Sequence, residues 1–220
     1  MKVCVWLGSA APLRSIRWLD GAIAIGAKFG EATTIAAGDA TWLDLAADRS
    51  SRAGVASAGV VTDLTLDYLG WAQVAFAAAR HLGASTILVD EASRPERFPE
   101  VAAIAELMDA VQLTHVVALA PDRHGGVIHA SRATGRGELQ TLRVRGPAVF
   151  GIRIAGAAID EYPTPMPSSS MKRLELSTLG LDPVVLGHRA LPPRASREPR
   201  RTVDRIAEHL AAHIVPRRGG

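Results

Sequence analysis

The chain has 220 residues, of which 48% are hydrophobic and 21% charged, and its formal net charge is +3. These values fit one globular domain, or one domain with an appendage, and exclude a chain that is disordered throughout. The single cysteine, Cys4, excludes a disulfide framework, and no apolar run forms a signal peptide or reaches the roughly 20 residues of a membrane span, so we expect a cytoplasmic protein.

Apolar runs alternate with helical periodicities along the first 120 residues. The pattern predicts strands at 2–7, 32–37, 55–61, 85–90 and 114–119, and helices at 14–28 and 99–111. A further helix is predicted before Gly83, with an apolar stripe of Leu69, Ala72, Phe76 and Ala79. The strand segments are mostly continuous apolar runs, as in parallel sheets covered on both faces by helices. We therefore expect a three-layer α/β fold built on a mostly parallel sheet.

A different pattern begins after Pro121. Three short strand-like runs, GVIHAS, LQTLRV and PAVFGIRI, follow one another with the glycine-bearing turns HGG and TGRG and no helical period. We expect them to form an antiparallel extension of the sheet between residues 127 and 154. The stretch EYPTPMPSSSMKR (161–173) comes next, and its alternating prolines fit neither a helix interior nor a central strand.

The basic charge of the chain is concentrated in its last segment, 188–220, which holds eight arginines against three acids. No aromatic residues lie between these arginines, which argues against a binder of single-stranded nucleic acid. Apolar residues from Val203 to Ile214 fall on one face and predict a terminal helix that packs on another protein. We therefore divide the chain into an α/β domain, 1–187, and a basic C-terminal arm, 188–220.

Motifs of common enzyme classes are missing from the sequence. It contains no G-x-G-x-x-G after a strand, no G-x-x-x-x-G-K-[ST] and no G-x-S-x-G. His209 and His213 are spaced i, i+4, but they lack the glutamate of H-E-x-x-H and a third ligand nearby. The sequence therefore predicts no catalytic residue, no metal site and no enzyme activity of the chain by itself.

Several segments, taken in order, resemble the β subunit of electron transfer flavoprotein. The family has a Leu-Glu-Thr-Leu strand, a Pro-Ala-Val-Val strand and then a tyrosine- and proline-bearing loop. The matching segments here are LQTL (139–142), PAVF (147–150), Tyr162-Pro163-Thr164, Met166-Pro167 and Met171-Lys172. FGEATTIAAGDA and the stretch 84–119 follow the family's second strand and its fourth strand, helix and fifth strand.

The resemblance implies a nucleotide α-hydrolase-like fold and a subunit of a heterodimer. In that family an α subunit holds most of the FAD, and electrons pass from a flavoprotein dehydrogenase to a quinone oxidoreductase. The β subunit buries AMP, or a second FAD in electron-bifurcating members. The C-terminal arm would pack on the α subunit.

The resemblance also assigns site residues. Residues 8–15 would face the flavin, and residues 160–172 would meet the dehydrogenase, with Met166 as the apolar contact. The positions matching the cofactor site are Trp6, Gly8, Ser9, Leu13, Ser15, Ala37, Gly38, Arg94 and Arg97. The positions matching the partner recognition loop are Tyr162, Pro163, Thr164, Pro165, Met166 and Pro167.

The nucleotide-binding positions depart from the family pattern. Where the family has Gln-Thr-Gly, this chain has Pro99-Glu100-Val101, which removes an amide donor, adds a negative charge and restores a Cβ atom. Arg94 and Arg97 either compensate for this change or are surface residues. Trp6 replaces a small residue and either fills the adenine cavity or belongs to the core. We expect a β subunit without an adenine nucleotide.

An alternative of another class remains open. The same sheet order would serve a homodimeric nucleotide- or small-molecule-binding regulatory protein of the universal stress type. The runs between 127 and 154 and the basic arm favour the electron transfer subunit, because a homodimer has no obvious need for them.

Overall fold

A nine-stranded sheet lies between two layers of helices in this computed structural model, which describes residues 1–8, 16–91, 98–122, 126–135, 137–153 and 171–187. Contacts divide the chain into two compact units, Met1–Ala190 and Leu191–Gly220, and the described residues all belong to the first. The terminal helix predicted for the arm lies outside the described residues.

The helices and strands alternate from the start of the chain. In chain order the elements are β1 (Val3–Gly8), α1 (Ile16–Ala27), β2 (Ala32–Gly38), α2 (Ala40–Arg52), β3 (Ala56–Val61), α3 (Tyr68–His81), β4 (Thr86–Asp90), α4 (Phe98–Met108), β5 (Val111–Pro121), β6 (Val127–Ala133), β7 (Leu139–Arg145), β8 (Ala148–Ile152), β9 (Lys172–Leu174) and α5 (Pro183–Gly187). The strand order across the sheet is β7-β6-β5-β8-β4-β1-β2-β3-β9. All pairings are parallel except β5–β6 and β6–β7.

The side chains of β1 alternate between the two faces of the sheet. Val3, Val5 and Leu7 pack with apolar residues of α1 and α2, whereas Cys4 and Trp6 pack with those of α3 and α4. Helices therefore cover both faces, which explains why the central strands β1, β4 and β8 are buried along their whole length. The predicted three-layer α/β architecture with a mostly parallel sheet is confirmed.

The antiparallel extension is only partly correct. β6 and β7 do form an antiparallel hairpin with β5, but β8 lies in the middle of the sheet, parallel to both β4 and β5. The chain passes from β7 to β8 through only Gly146 and Pro147, a spacing that favours a hairpin when read from sequence. No pairing joins β7 to β8, because β8 is instead a buried strand that fills the gap between β4 and β5.

An irregularity in β5 makes this arrangement possible. Residues 111–116 of β5 pair with β8, and residues 116–121 pair with β6. The register shifts on both sides of Val116, and His115 has a left-handed φ of 57°. Bulges of this kind bend a strand, so one strand serves the parallel sheet with its first half and the hairpin with its second.

Two helices differ from expectation in detail. α2 was not predicted, although Asp39 caps it by accepting the backbone N–H of Trp42 at 2.8 Å. In α3 the apolar stripe was expected to include Leu69, which is exposed, and the buried face instead consists mainly of small residues such as Ala72, Ala75 and Ala79.

Candidate functional site at the carboxyl ends of β1 and β4

The strand order reverses at β1. From β1 the chain leads through α1 to β2 on one side, and β3 leads through α3 back to β4 on the other side of β1. In open α/β sheets, ligands bind at the carboxyl ends of the strands where the order reverses. Gly8 and Asp90 end these two strands, so the candidate site comprises them, Glu91 and the first turn of α4.

Trp6 and Glu100 close one face of this site. Trp6 is fully buried and Glu100 is 2% exposed. The indole N–H of Trp6 donates a hydrogen bond to Oε1 of Glu100, which lies in the first turn of α4. The positive end of the helix dipole stabilises a carboxylate there. Trp6 is thus a core residue whose polar atom is held by an acid on the covering helix.

A second carboxylate lies at the end of β4. Glu91 is 5% exposed, and its Oε2 accepts the backbone N–H of His115 at 2.9 Å. Its Oε1 is buried without a hydrogen-bond partner among the described residues. A Cβ atom at Gly151 would come within 2.7 Å of Oε2, so the carboxylate lies directly over the backbone of β8.

The described part of the site is acidic. Asp90, Glu91 and Glu100 are all buried at the carboxyl end of β4 or beneath the start of α4. Repulsion between like charges is stronger in a low-dielectric environment than in water, so this cluster opposes the entry of an anion. The arrangement suits hydrogen-bond donors better than phosphate.

Trp42 fixes the end of β1 from the opposite helix layer. Its indole N–H donates to the carbonyl oxygen of Gly8 at 3.0 Å, and its side chain is buried. Gly8 has a φ of 74°, a conformation that favours glycine. Hydrogen bonds therefore attach the end of β1 to α2 through Trp42 and to α4 through Trp6.

The structure describes four of the nine residues predicted for the cofactor site. Trp6, Gly8, Ala37 and Gly38 lie at the ends of the neighbouring strands β1 and β2, but Ala37 is completely buried in the core. The others, Ser9, Leu13, Ser15, Arg94 and Arg97, lie outside the described residues, as do Tyr162, Pro163, Thr164, Pro165, Met166 and Pro167 of the recognition loop.

The sequence assigned no role to Glu91, Trp42 or Gly151, and it marked Glu100 only as unfavourable to phosphate. One signal was present, since Asp39 three residues before Trp42 is a typical helix start. The contacts of Glu91 depend on the bend of β5 and have no local signal.

Neither a metal site nor a membrane helix is found within the described ranges. There, no three His, Cys, Asp or Glu side chains are grouped so as to hold a metal ion. No described helix is long and apolar enough to cross a membrane.

The fold and the site together define a class, a three-layer α/β protein whose switch point carries buried carboxylates and two indoles. No protein-family model matches the chain, and no curated protein matches it significantly.

Proposed function

We propose that the chain is the β subunit of a heterodimeric electron transfer flavoprotein, in which FAD held mainly by an α subunit carries electrons from a flavoprotein dehydrogenase to a quinone-linked acceptor. The main support is the position of the two segments most similar to that family. LQTL (139–142) lies in β7, and Ala148, Val149 and Phe150 of PAVF lie in β8, so both are strands that follow each other directly. Met171 and Lys172 then lead into β9.

The chain would orient the flavin and set its electrostatic surroundings, and it would supply no reacting groups. When bound, FAD supplies the redox chemistry, and the polypeptide orients it. In this proposal residues 8–15 face the flavin. The hydrogen bond from Trp42 to the Gly8 carbonyl fixes the point at which this segment leaves the sheet.

The described residues do not fit an adenine nucleotide in this subunit. Trp6 occupies the face of β1 where the family contacts adenine, and Glu100 is bonded to it. A phosphate would meet Glu91 and Glu100, both of which are buried acids. We infer that the β subunit binds neither AMP nor a second FAD, and that the protein does not bifurcate electrons.

Denaturation of the purified complex tests the nucleotide inference. Acid-released cofactors are separated by chromatography, and one FAD per heterodimer without AMP is the expected result. Stoichiometric AMP would contradict it while leaving the heterodimer proposal intact.

Co-expression with a neighbouring reading frame that encodes a flavin-binding protein tests the proposed function itself. A yellow 1:1 heterodimer on size exclusion supports the electron transfer subunit. A colourless homodimer, which the universal-stress alternative requires, would refute it.

The recognition loop has its own test. Met166→Asp should slow electron transfer from the dehydrogenase without loss of flavin, because a charge would replace the apolar contact. Leu139→Asp is the matched control, since Leu139 is 66% exposed on the edge strand β7. Equal rates for the wild type and Met166→Asp would show that 160–172 only connects two elements.

A further inference from the structure

A groove of about 390 Å³ lies at the edge of the sheet opposite the candidate site. Ser85, immediately before β4, and Pro147, immediately before β8, form part of its wall. Both lie at the amino ends of parallel strands, whereas Gly8 and Asp90 lie at the carboxyl ends. The groove is therefore separate from the switch point and from the role proposed for it.

The walls of the groove are mainly apolar. Phe76 and Ala79 of α3 and Met108 of α4 line it together with Ala84. The volume lies in the range of about 300–1,000 Å³ that small-molecule sites occupy, and such sites combine apolar walls with a few polar groups. Phe76 and Met108 are partly exposed, so an apolar ligand body of modest size would bury surface on these two side chains.

One cation lies directly at the groove. The guanidinium of Arg80 lies 5.3 Å from the centre of the Phe76 ring and forms no ion pair with any carboxylate in the described ranges. A second positive charge is close, since Lys2 Nζ is 4.0 Å from the position of a Cβ atom at Gly83. Arginine pairs with carboxylates through two parallel hydrogen bonds, so the polar end of a ligand here would be an anion.

Backbone carbonyls at the helix ends beside the groove are already hydrogen-bonded within the chain. At the end of α3, Ala84 N–H donates to Ala79 O at 2.9 Å and Gly83 N–H donates to Arg80 O at 3.0 Å. At the end of α4, Ala110 N–H donates to Ala105 O and Asp109 N–H to Glu106 O. These bonds occupy carbonyls that helix ends otherwise leave unpaired.

Two acids lie near the end of α4. Glu106 and Asp109 are both exposed, so water and salt screen their effect on a ligand within about 8–10 Å. Neither Glu106 nor Asp109 lines the groove itself.

We propose that this groove binds a small apolar carboxylate, with the hydrocarbon body on Phe76 and Met108 and the carboxylate on Arg80. The inference does not depend on the electron transfer role. An aromatic carboxylate fits best, because aromatic rings pair favourably with Phe76 in edge-to-face or offset geometry.

Phenylacetate and its neutral isostere phenylacetamide test the proposal. Both are titrated into the full-length chain and followed by two-dimensional amide NMR or by calorimetry. We expect saturable one-to-one binding of phenylacetate that weakens with added salt, and binding of phenylacetamide that is about tenfold weaker or more, as loss of a charged hydrogen bond predicts.

Three variants locate the site. Arg80→Gln should weaken phenylacetate binding about tenfold and leave phenylacetamide binding unchanged. Ser85→Trp should abolish the binding of both, since Ser85 is exposed and a large side chain there fills the groove. Arg143→Gln, which removes an exposed arginine from β7, is the matched control and should change neither. Circular dichroism and thermal melting show that each variant is folded.

Several outcomes would overturn the proposal. These are no saturable binding of phenylacetate, equal affinity for the neutral isostere, or unchanged affinity in folded Arg80→Gln. A concentration-dependent dimer that Ser85→Trp dissociates would show that a second copy of the chain occupies the groove instead.

Discussion

Trp6 and Glu100 are 94 residues apart in sequence and form a buried hydrogen bond between β1 and α4. An indole N–H or a carboxylate buried without a partner is costly, and pairing removes much of that cost for both groups. The bond also fixes the first turn of α4 over the end of β1. A single pair therefore sets the geometry of the switch point.

Substitutions in this pair should be strongly coupled. Trp6→Phe removes the donor and some volume, and we expect it to lower the free energy of unfolding by about 2–4 kcal/mol. Glu100→Ala removes the acceptor and leaves the indole N–H of Trp6 unpaired, and we expect it to cost about 1–3 kcal/mol. In urea denaturation the double variant should lose clearly less than the sum of the two changes, and simple additivity would contradict a direct interaction.

The carboxylate of Glu91 leaves no room for a side chain at position 151, which is glycine. Gly151→Ala places a Cβ atom 2.7 Å from Oε2, so the carboxylate must move away from the His115 N–H, and we expect a loss of about 1–3 kcal/mol. Gly135→Ala is the matched control because nothing lies within 4 Å of its Cβ position, and it should stay within about 0.5 kcal/mol of the wild type.

The same experiment in a Glu91→Ala background separates the two causes of strain. With the carboxylate gone, Gly151→Ala should cost much less, as measured by urea denaturation. An unchanged cost would show that the added methyl group clashes with backbone atoms rather than with Glu91.

At the level of elements, sequence patterns predicted strands β1 to β8 and helices α1, α3 and α4, but not α2, α5, β9 or the position of β8. Ser50 interrupts the apolar stripe of α2, and it is accommodated because its hydroxyl donates to Ala46 O at 2.7 Å and bonds to Thr34 at 2.6 Å. Periodicity shows that a segment is a strand, but it does not show which strand lies beside it. Burial of Trp6 was foreseen, whereas its partner Glu100 could not be, because that contact exists only once α4 packs on the sheet.

The caps of α3 and α4 have the same hydrogen-bond pattern but different residues. Gly83 has a φ of 71° at the end of α3, and Asp109 has a φ of 49° at the equivalent place after α4. A left-handed conformation costs a residue with a side chain about 1 kcal/mol relative to glycine. We expect Asp109→Gly to raise the free energy of unfolding by about 0.5–1 kcal/mol and Gly83→Ala to lower it by about 1 kcal/mol. Urea denaturation of both variants measures this, and shifts of the same sign would contradict it.

At the scale of the whole molecule, β1 is the strand on which the fold depends. It pairs with β2 and β4, contributes side chains to both core layers and ends at the switch point. Cys4 lies in this strand with 1% of its surface exposed. The thiol is therefore kept out of water as long as the sheet is folded.

Burial raises the pKa of the Cys4 thiol from 9.0 to about 12. In the unfolded chain the thiol ionises near pH 9, whereas in the folded protein it stays protonated, so the folded state binds more protons between these values. Its contribution to stability is complete below pH 9 and is lost as pH rises from 9 towards 12, with a slope of at most about 1.4 kcal/mol per pH unit. Between pH 8 and pH 10 we therefore expect this one group to lower the free energy of unfolding by about 1.3 kcal/mol.

Cys4→Ala lacks the thiol but keeps every other group that titrates in alkali, so the stability difference between wild type and variant should shrink by that amount between the two pH values. Urea denaturation at pH 8 and pH 10 gives the four free energies, and a difference that stays constant would mean that the thiol ionises as readily in the folded sheet as in the unfolded chain.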